Sequence, residues 1–245
     1  MKGELDTLKR EVARLEKELS DAQEAVRLNE LFVGILSHDL RNPMSAIAMG
    51  AGLLMRNVTS EKDTKIAKRI AKSTARMGRM IDQLLDFTRI RSAGGLALDR
   101  HPTEMRQLVT SVIEELEGAR PEATFAVEVE GDDTAGTWDA DLLFQALSNL
   151  GENAIEHGAG GKLIRVRIVT DAAQVTVSVH NEGLIPPALL PVIFDPFRGS
   201  ARRGGGKGLG LGLYIAQQIV HAHGGTLGAE SSSDSGTTFT MLLPK

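Results

Sequence analysis

The chain has 245 residues, a net charge of −4 and no cysteine. This length leaves room for one or two domains with real cores. The charge speaks against a nucleic-acid surface, and the absence of thiols excludes disulfides, thiolate metal sites and a cysteine nucleophile. No apolar run approaches the ~20 residues of a membrane helix, and the charged N-terminus lacks a signal-peptide pattern. A cytoplasmic chain without membrane insertion is expected, either free or as the cytosolic part of a membrane-bound receptor.

Residues 1–30 hold no glycine or proline after Gly3. Leu5, Val12, Leu19 and Val26 recur every seven residues, and Leu8, Leu15, Ala22 and Asn29 form a second row three positions on. This a/d heptad, β-branched at two a positions, predicts a parallel dimeric coiled coil. It runs in register into Val33 and Leu36. The coil should therefore feed the next helix directly.

That next helix carries FVGILSHDLRNP at 32–43. His38 and Asn42 are four apart and share a helical face. Pro43 lacks an N–H and its ring presses on the carbonyl of Asp39, so a bend is expected beside the histidine. An imidazole next to a carboxylate on a bent helix suits an activated nucleophile. The order of Phe, Ser-His-acid, Arg, amide and Pro resembles the phosphoacceptor box of bacterial sensor histidine kinases.

The helix is expected to end near Asn57, with a turn over 57–60 and Ser60 as the next N-cap. A second helix is predicted over 61–91, because Ile66, Ile70, Thr74, Met77, Ile81, Leu84, Leu85 and Thr88 lie mostly on one face. Two such helices per chain would pair across a dimer as a four-helix bundle. The stripe alone predicts only a core; the dimeric bundle is what the resemblance implies. Ser92, Gly94 and Gly95 mark a linker.

Beyond the linker the pattern becomes α/β. Period-2 alternation predicts strands over 123–130, 163–170, 174–180 and 237–243. Helical periodicity predicts helices over 103–117, 139–157 and 209–223. Helices grouped against one mixed sheet make an α/β sandwich. The expected organisation is multidomain, α followed by α/β. Residues 1–30 form the coiled coil, 31–92 the dimerisation and phosphotransfer hairpin, and 96–245 an ATP-binding domain of the histidine kinase/gyrase type.

Four further segments carry the resemblance. NLGENAIEH at 149–157 resembles the kinase N box, VHNEGLIPP at 179–187 its first glycine box, FDPFR at 194–198 its F box, and GLGLGL at 208–213 its second glycine box. By that match Asn153 is the Mg²⁺ ligand, held together with the ATP phosphates, and Asn149 and His157 lie near those phosphates. Asn181 stands where the family has a carboxylate that reads adenine, and Gly183 keeps the turn. Leu184 and Ile185 occupy a segment one residue short, and Glu156 stands where a basic residue is common. Phe194 and Phe197 are expected to anchor the following loop. That loop, Gly199–Lys207, holds Arg202, Arg203 and Lys207 and is expected to act as a lid. Gly208, Gly210 and Gly212 would let the backbone approach phosphate at a helix N-terminus.

The resemblance implies a kinase that moves the γ-phosphoryl of ATP to His38, with Asp39 accepting the released proton. The phosphoryl group would then pass to an aspartate of a response-regulator receiver domain. Asn42 matches the position that orients water for removing phosphate from that regulator. A homodimer and an upstream sensor domain outside this chain complete the expected partners. Two readings stay open beside it. One is an ATPase of the same fold. The other is a catalytically weak dimeric scaffold, which Asn181, Glu156 and the short glycine box would favour.

Overall fold

A computed structural model describes residues 44–55, 60–91, 96–158, 161–197 and 209–245. The chain divides into two compact units, Met1–Gly95 and Leu96–Lys245. The predicted coiled coil and the histidine box, including His38, Asp39 and Asn42, lie outside the described residues. So do Lys207 and Gly208. Among the described residues no helix is long and apolar enough to cross a membrane.

The first unit contains two helical stretches, α1 (44–55) and α2 (Glu61–Arg91). Helix α2 carries Glu61 and Asp63 in its first turn and Arg89 and Arg91 in its last, the order its dipole favours. Its start is tied by Ser60, whose carbonyl accepts from the Thr64 N–H at 3.0 Å. The buried residues of α2 are Ala67, Thr74 and Ile81, spaced by seven. Met44 and Ala51 of α1 are buried at the same spacing. A seven-residue repeat is the signature of helices packed along a coiled seam. Thr74 is tolerated there because its hydroxyl donates to the Ile70 carbonyl at 2.9 Å. The hairpin leaves Ile47, Leu53, Leu54 and Ile66 about half exposed.

The second unit is a two-layer sandwich. Its sheet has the order β2-β4-β5-β7-β6. The strands are β2 (Phe125–Glu130), β4 (Ile164–Thr170), β5 (Gln174–Asn181), β6 (Thr226–Ser232) and β7 (Gly236–Pro244). Only the β2–β4 pair is parallel. Helices α3 (Met105–Ala119), α4 (Ala140–His157) and α5 (Gly212–Ala222) pack against one face. Burial alternates strictly on β5 and β7, so Val175, Val177 and Val179 face Phe239, Met241 and Leu243 in the core. A small antiparallel ladder of β1 (His101–Glu104) and β3 (Ala135–Trp138) stands apart from this sheet. It carries Trp138, fully buried, whose Nε1–H donates to the Pro244 carbonyl at 2.7 Å.

The structure adds three strands to the sequence expectation. Strand β6 was not expected, because Gly, Glu and Ser are poor strand formers and alternation there is weak. It exists as an edge strand paired along β7. Strands β1 and β3 are four residues each, too short for a period to show. The helix expected from residue 103 begins at Met105, because His101–Glu104 are used by β1.

Candidate nucleotide site

Helix α4 begins at Asp139, whose Oδ1 accepts from the Leu142 N–H at 3.1 Å, the expected N-cap bond. Its other oxygen accepts from the Asp99 N–H at 3.0 Å. The Asp139 N–H, which no intrahelical carbonyl can take, donates to Nε2 of His223 at 3.1 Å. Nδ1 of His223 lies 2.8 Å from the Ile219 carbonyl. A carbonyl only accepts and an N–H only donates, so His223 is neutral with its proton on Nδ1. Burial pushes its pKa below the usual imidazole value, further helped by Arg100 and opposed by the Ile219 bond and Asp139. This buried imidazole fastens the end of α5 to the start of α4.

The core stripe of α4 is Leu143, Ala146, Leu147, Leu150, Gly151 and Ala154. Asn149 and Asn153 flank it, half-buried, and His157 and Glu156 are exposed at the helix end. The Asn149 carboxamide faces the first turn of α5: a Cβ on Gly212 would stand 3.2 Å from its Oδ1. Helix α5 has no side-chain N-cap and no acidic residue in its first turn. Its leading N–H groups and positive dipole end therefore remain available to an anion. Gly210 precedes them at φ 72°, a left-handed conformation that glycine adopts without strain.

The other end of α4 meets the Asn181–Gly183 turn. Asn181 is 3% exposed and closes the inward row of β5, after Val175, Val177 and Val179. A Cβ on Gly158 would lie 3.5 Å from its Nδ2, and one on Gly183 only 2.7 Å away. The latter Cβ would also collide with the His157 carbonyl. Gly183 is thus required by close approach to the end of α4, and it has no positive φ.

The turn is held from behind by two hydroxyls. Thr237, the cross-strand partner of Asn181, donates to the Gly183 carbonyl at 2.8 Å. Ser231 lies 2.8 Å from the Thr237 hydroxyl and accepts from the Ile185 N–H at 2.9 Å. The Thr237 proton is already used, so Ser231 donates to Thr237. This relay clamps the shortened Leu184–Ile185 segment to β6 and β7. Neither residue stood out in sequence, yet a signal was present: Thr237 is the polar member of an otherwise apolar inward row.

Phe194 packs edge-on to Phe239 with ring centroids 6.3 Å apart, as an anchor should. Phe197 is 45% exposed. It acts through its backbone, at φ 65°, with its N–H donating to the Gly210 carbonyl at 3.0 Å. His157 was expected with Asn149 near the phosphates. It lies eight residues along α4, about 12 Å at 1.5 Å per residue, and its carbonyl abuts Gly183 instead. An i, i+4, i+8 row is a line along a helix, and its ends serve different neighbours.

Two outcomes follow from these bonds. Thr237→Val should lose about 1–2 kcal/mol, since it strands a partly buried carbonyl and hydroxyl, while Thr237→Ser should retain most of the stability. Urea unfolding followed by Trp138, the single tryptophan, reads the second unit, and equal stability of the Val variant would sink the relay. A His223 with a lowered folded pKa binds fewer protons than the unfolded chain, so its contribution is complete above about pH 6.5. It is lost as pH falls from there through the folded value. The same fluorescence signal should show a stability loss between pH 8 and pH 5.5 that is smaller in His223→Gln. An undiminished loss would mean that another group titrates.

Comparison with known proteins agrees with this geometry. Residues 28–93 match the His Kinase A (phospho-acceptor) domain, and 138–245 match the histidine kinase-, DNA gyrase B- and HSP90-like ATPase domain. A bacteriophytochrome of Pseudomonas aeruginosa is 33% identical over 229 residues, which are 92% of this chain and 31% of that protein. The nucleotide-free catalytic domain of histidine kinase ThkA is 30% identical, with a TM-score of 0.52 over 60% of this chain and 98% of that one. ThkA in complex with the response regulator protein TrrA gives a TM-score of 0.61 at 26% identity, over 89% of this chain and 63% of that one. The chain spans about a quarter to a half of the length of the curated relatives it matches. A phosphoacceptor helical region followed by this ATPase fold, in one chain and in this order, means that the protein belongs to the histidine kinase family of two-component systems.

Proposed function

We propose that the chain is the core of a sensor kinase that autophosphorylates His38 from ATP and passes the phosphoryl group to a receiver aspartate. The observation that carries this is the double use of α4. One part of the helix faces the uncapped N-terminus of α5 at Asn149, and its end meets the buried Asn181 turn. An anion site and a polar, buried turn joined by one helix suit a nucleoside triphosphate, with phosphates toward α5 and base toward Asn181. Asn149 and the backbone of Gly208, Gly210 and Gly212 serve the phosphates, and Lys207 approaches them from the lid. His157 belongs on the base side.

Asn153 is the proposed Mg²⁺ ligand. Its amide oxygen, half-buried on the same row as Asn149, is a hard donor. Among the described residues no cluster of three His, Asp or Glu side chains could hold a metal by itself. That donor set fits an ion bound jointly by one amide and nucleotide phosphates. When bound, Mg²⁺ neutralises phosphate charge.

Phosphoryl transfer asks the protein chiefly for position and charge neutralisation. A ring nitrogen of neutral His38 forms the new N–P bond while the bond to the β-phosphate oxygen breaks and ADP leaves. Asp39 takes the proton from the other ring nitrogen. The half-exposed apolar face of the α1–α2 hairpin supports a homodimer, since Ile47 and Leu54 continue the a row of the predicted coil. The ThkA–TrrA complex supports a receiver domain as the partner. The greater length of the relatives supports a sensor domain elsewhere.

Incubation with γ-labelled ATP and Mg²⁺ tests the proposal. Wild type should acquire an acid-labile, base-stable label, His38→Ala none, and Asp39→Asn far less despite unchanged ATP binding. Label on His38→Ala would overturn the acceptor; hydrolysis without label on any protein would favour the ATPase reading, and bound ATP without turnover the scaffold. With a labelled regulator in hand, Asn42→Ala should lose dephosphorylation of that regulator and keep autophosphorylation. Retention of both activities would remove Asn42 from the phosphatase role.

A further inference from the structure

The base side of the site differs from a carboxylate reader in a way that changes which purines it accepts. Resting on the assignment of Asn181 to the base, we propose that Asn181 reads the purine 6-position in either polarity, so that the site takes 6-oxopurine nucleoside triphosphates alongside ATP. A carboxylate only accepts hydrogen bonds, whereas an amide carries an acceptor oxygen and a donor NH₂ side by side. An adenine presents N6–H as donor and N1 as acceptor. A 6-oxopurine presents O6 as acceptor and N1–H as donor. The two edges are related by exchange of donor and acceptor, and a half-turn of the Asn181 amide makes the same exchange.

No side chain at the two nearest positions opposes that half-turn. Asn181 is 3% exposed, and its amide makes no hydrogen bond to another described residue. The two positions beside its NH₂ are Gly158 and Gly183, neither of which has a side chain that could hold the amide in one orientation. The hydroxyls behind it are committed elsewhere: Thr237 to the Gly183 carbonyl at 2.8 Å, and Ser231 to Thr237 at 2.8 Å. The neighbouring carboxylate, Glu182, is exposed and pairs with Lys162 at 3.5 Å. None of these side chains fixes the polarity of the reading edge. An aspartate at the same place would accept from N6–H and set its charge against O6, giving one strong bond and one repulsion.

The probe is ITP, which differs from ATP only at the 6-position and N1. Competition against a fluorescent nucleotide, with Mg²⁺ and the full chain, gives both affinities for wild type, Asn181→Asp and Asn181→Ala. Wild type should bind ITP within about tenfold of ATP, and Asn181→Asp should widen the preference for ATP by more than about tenfold, the equivalent of one good hydrogen bond. Rejection of ITP by wild type by about a hundredfold or more would overturn the inference, whether or not the variants fold. An Asn181→Asp variant that shifts both nucleotides equally would also overturn it, while leaving the base contact standing. No change in either affinity in both Asp and Ala variants would mean that Asn181 does not touch the base, and the underlying assignment would fall with the inference.

Discussion

The site depends on one buried imidazole. His223 ends α5 and accepts the first N–H of α4, and its other nitrogen donates back into its own helix. From Asp139 to Asn149 is ten residues of α4, and from His223 back to Gly212 is eleven residues of α5. Those paths are about 15 and 16 Å long. Pinning the two helices at one end therefore delivers the N-terminus of α5 opposite Asn149 at the other. The contact works only with a neutral ring, since a protonated one could not accept. The same burial that creates the contact keeps the ring neutral.

A second constraint comes from the sheet. The inward rows of β5 and β7 are apolar until their last pair, where Asn181 meets Thr237. A polar pair at the end of a hydrophobic layer cannot be left unsatisfied cheaply. Thr237 is satisfied through the turn it holds, and Asn181 is turned toward the end of α4. The shortened glycine box is thus not a loosened one. What a second glycine would supply by flexibility is replaced by hydroxyl bonds from two strands.

These two constraints bear on whether the departures from the family pattern mean a degenerate kinase. Glu156 is exposed at the helix end, away from the core stripe of α4, where its charge is well screened. The amide at 181 is buried and its turn is clamped, which is the condition for reading a ligand. A collapsed site would show an apolar side chain or a bulky residue at Gly158 or Gly183, and neither is present. The buried Asn181 and its clamped turn show no collapse of this end of the fold.

The sequence by itself determined the α-then-α/β order, the long α2 and the core strands, because heptad and period-2 patterns are local consequences of which face is buried. It also singled out Asn149, Asn153, Asn181 and Gly183, because their segments resemble the family's N box and first glycine box. Only the tertiary structure decided what those residues meet. The role of Gly183 is set by the His157 carbonyl, twenty-six positions earlier. The clamp on the turn comes from Ser231 and Thr237, and the helix register from His223, all distant in sequence. His157 and Asn149 look like one cluster along the chain, yet Asn149 faces Gly212 and the His157 carbonyl faces Gly183. Strand β6 exists because β7 offers it an edge, a condition that no property of its own seven residues could reveal. Periodicity records burial, which each residue carries with it; partnership is a property of the folded chain.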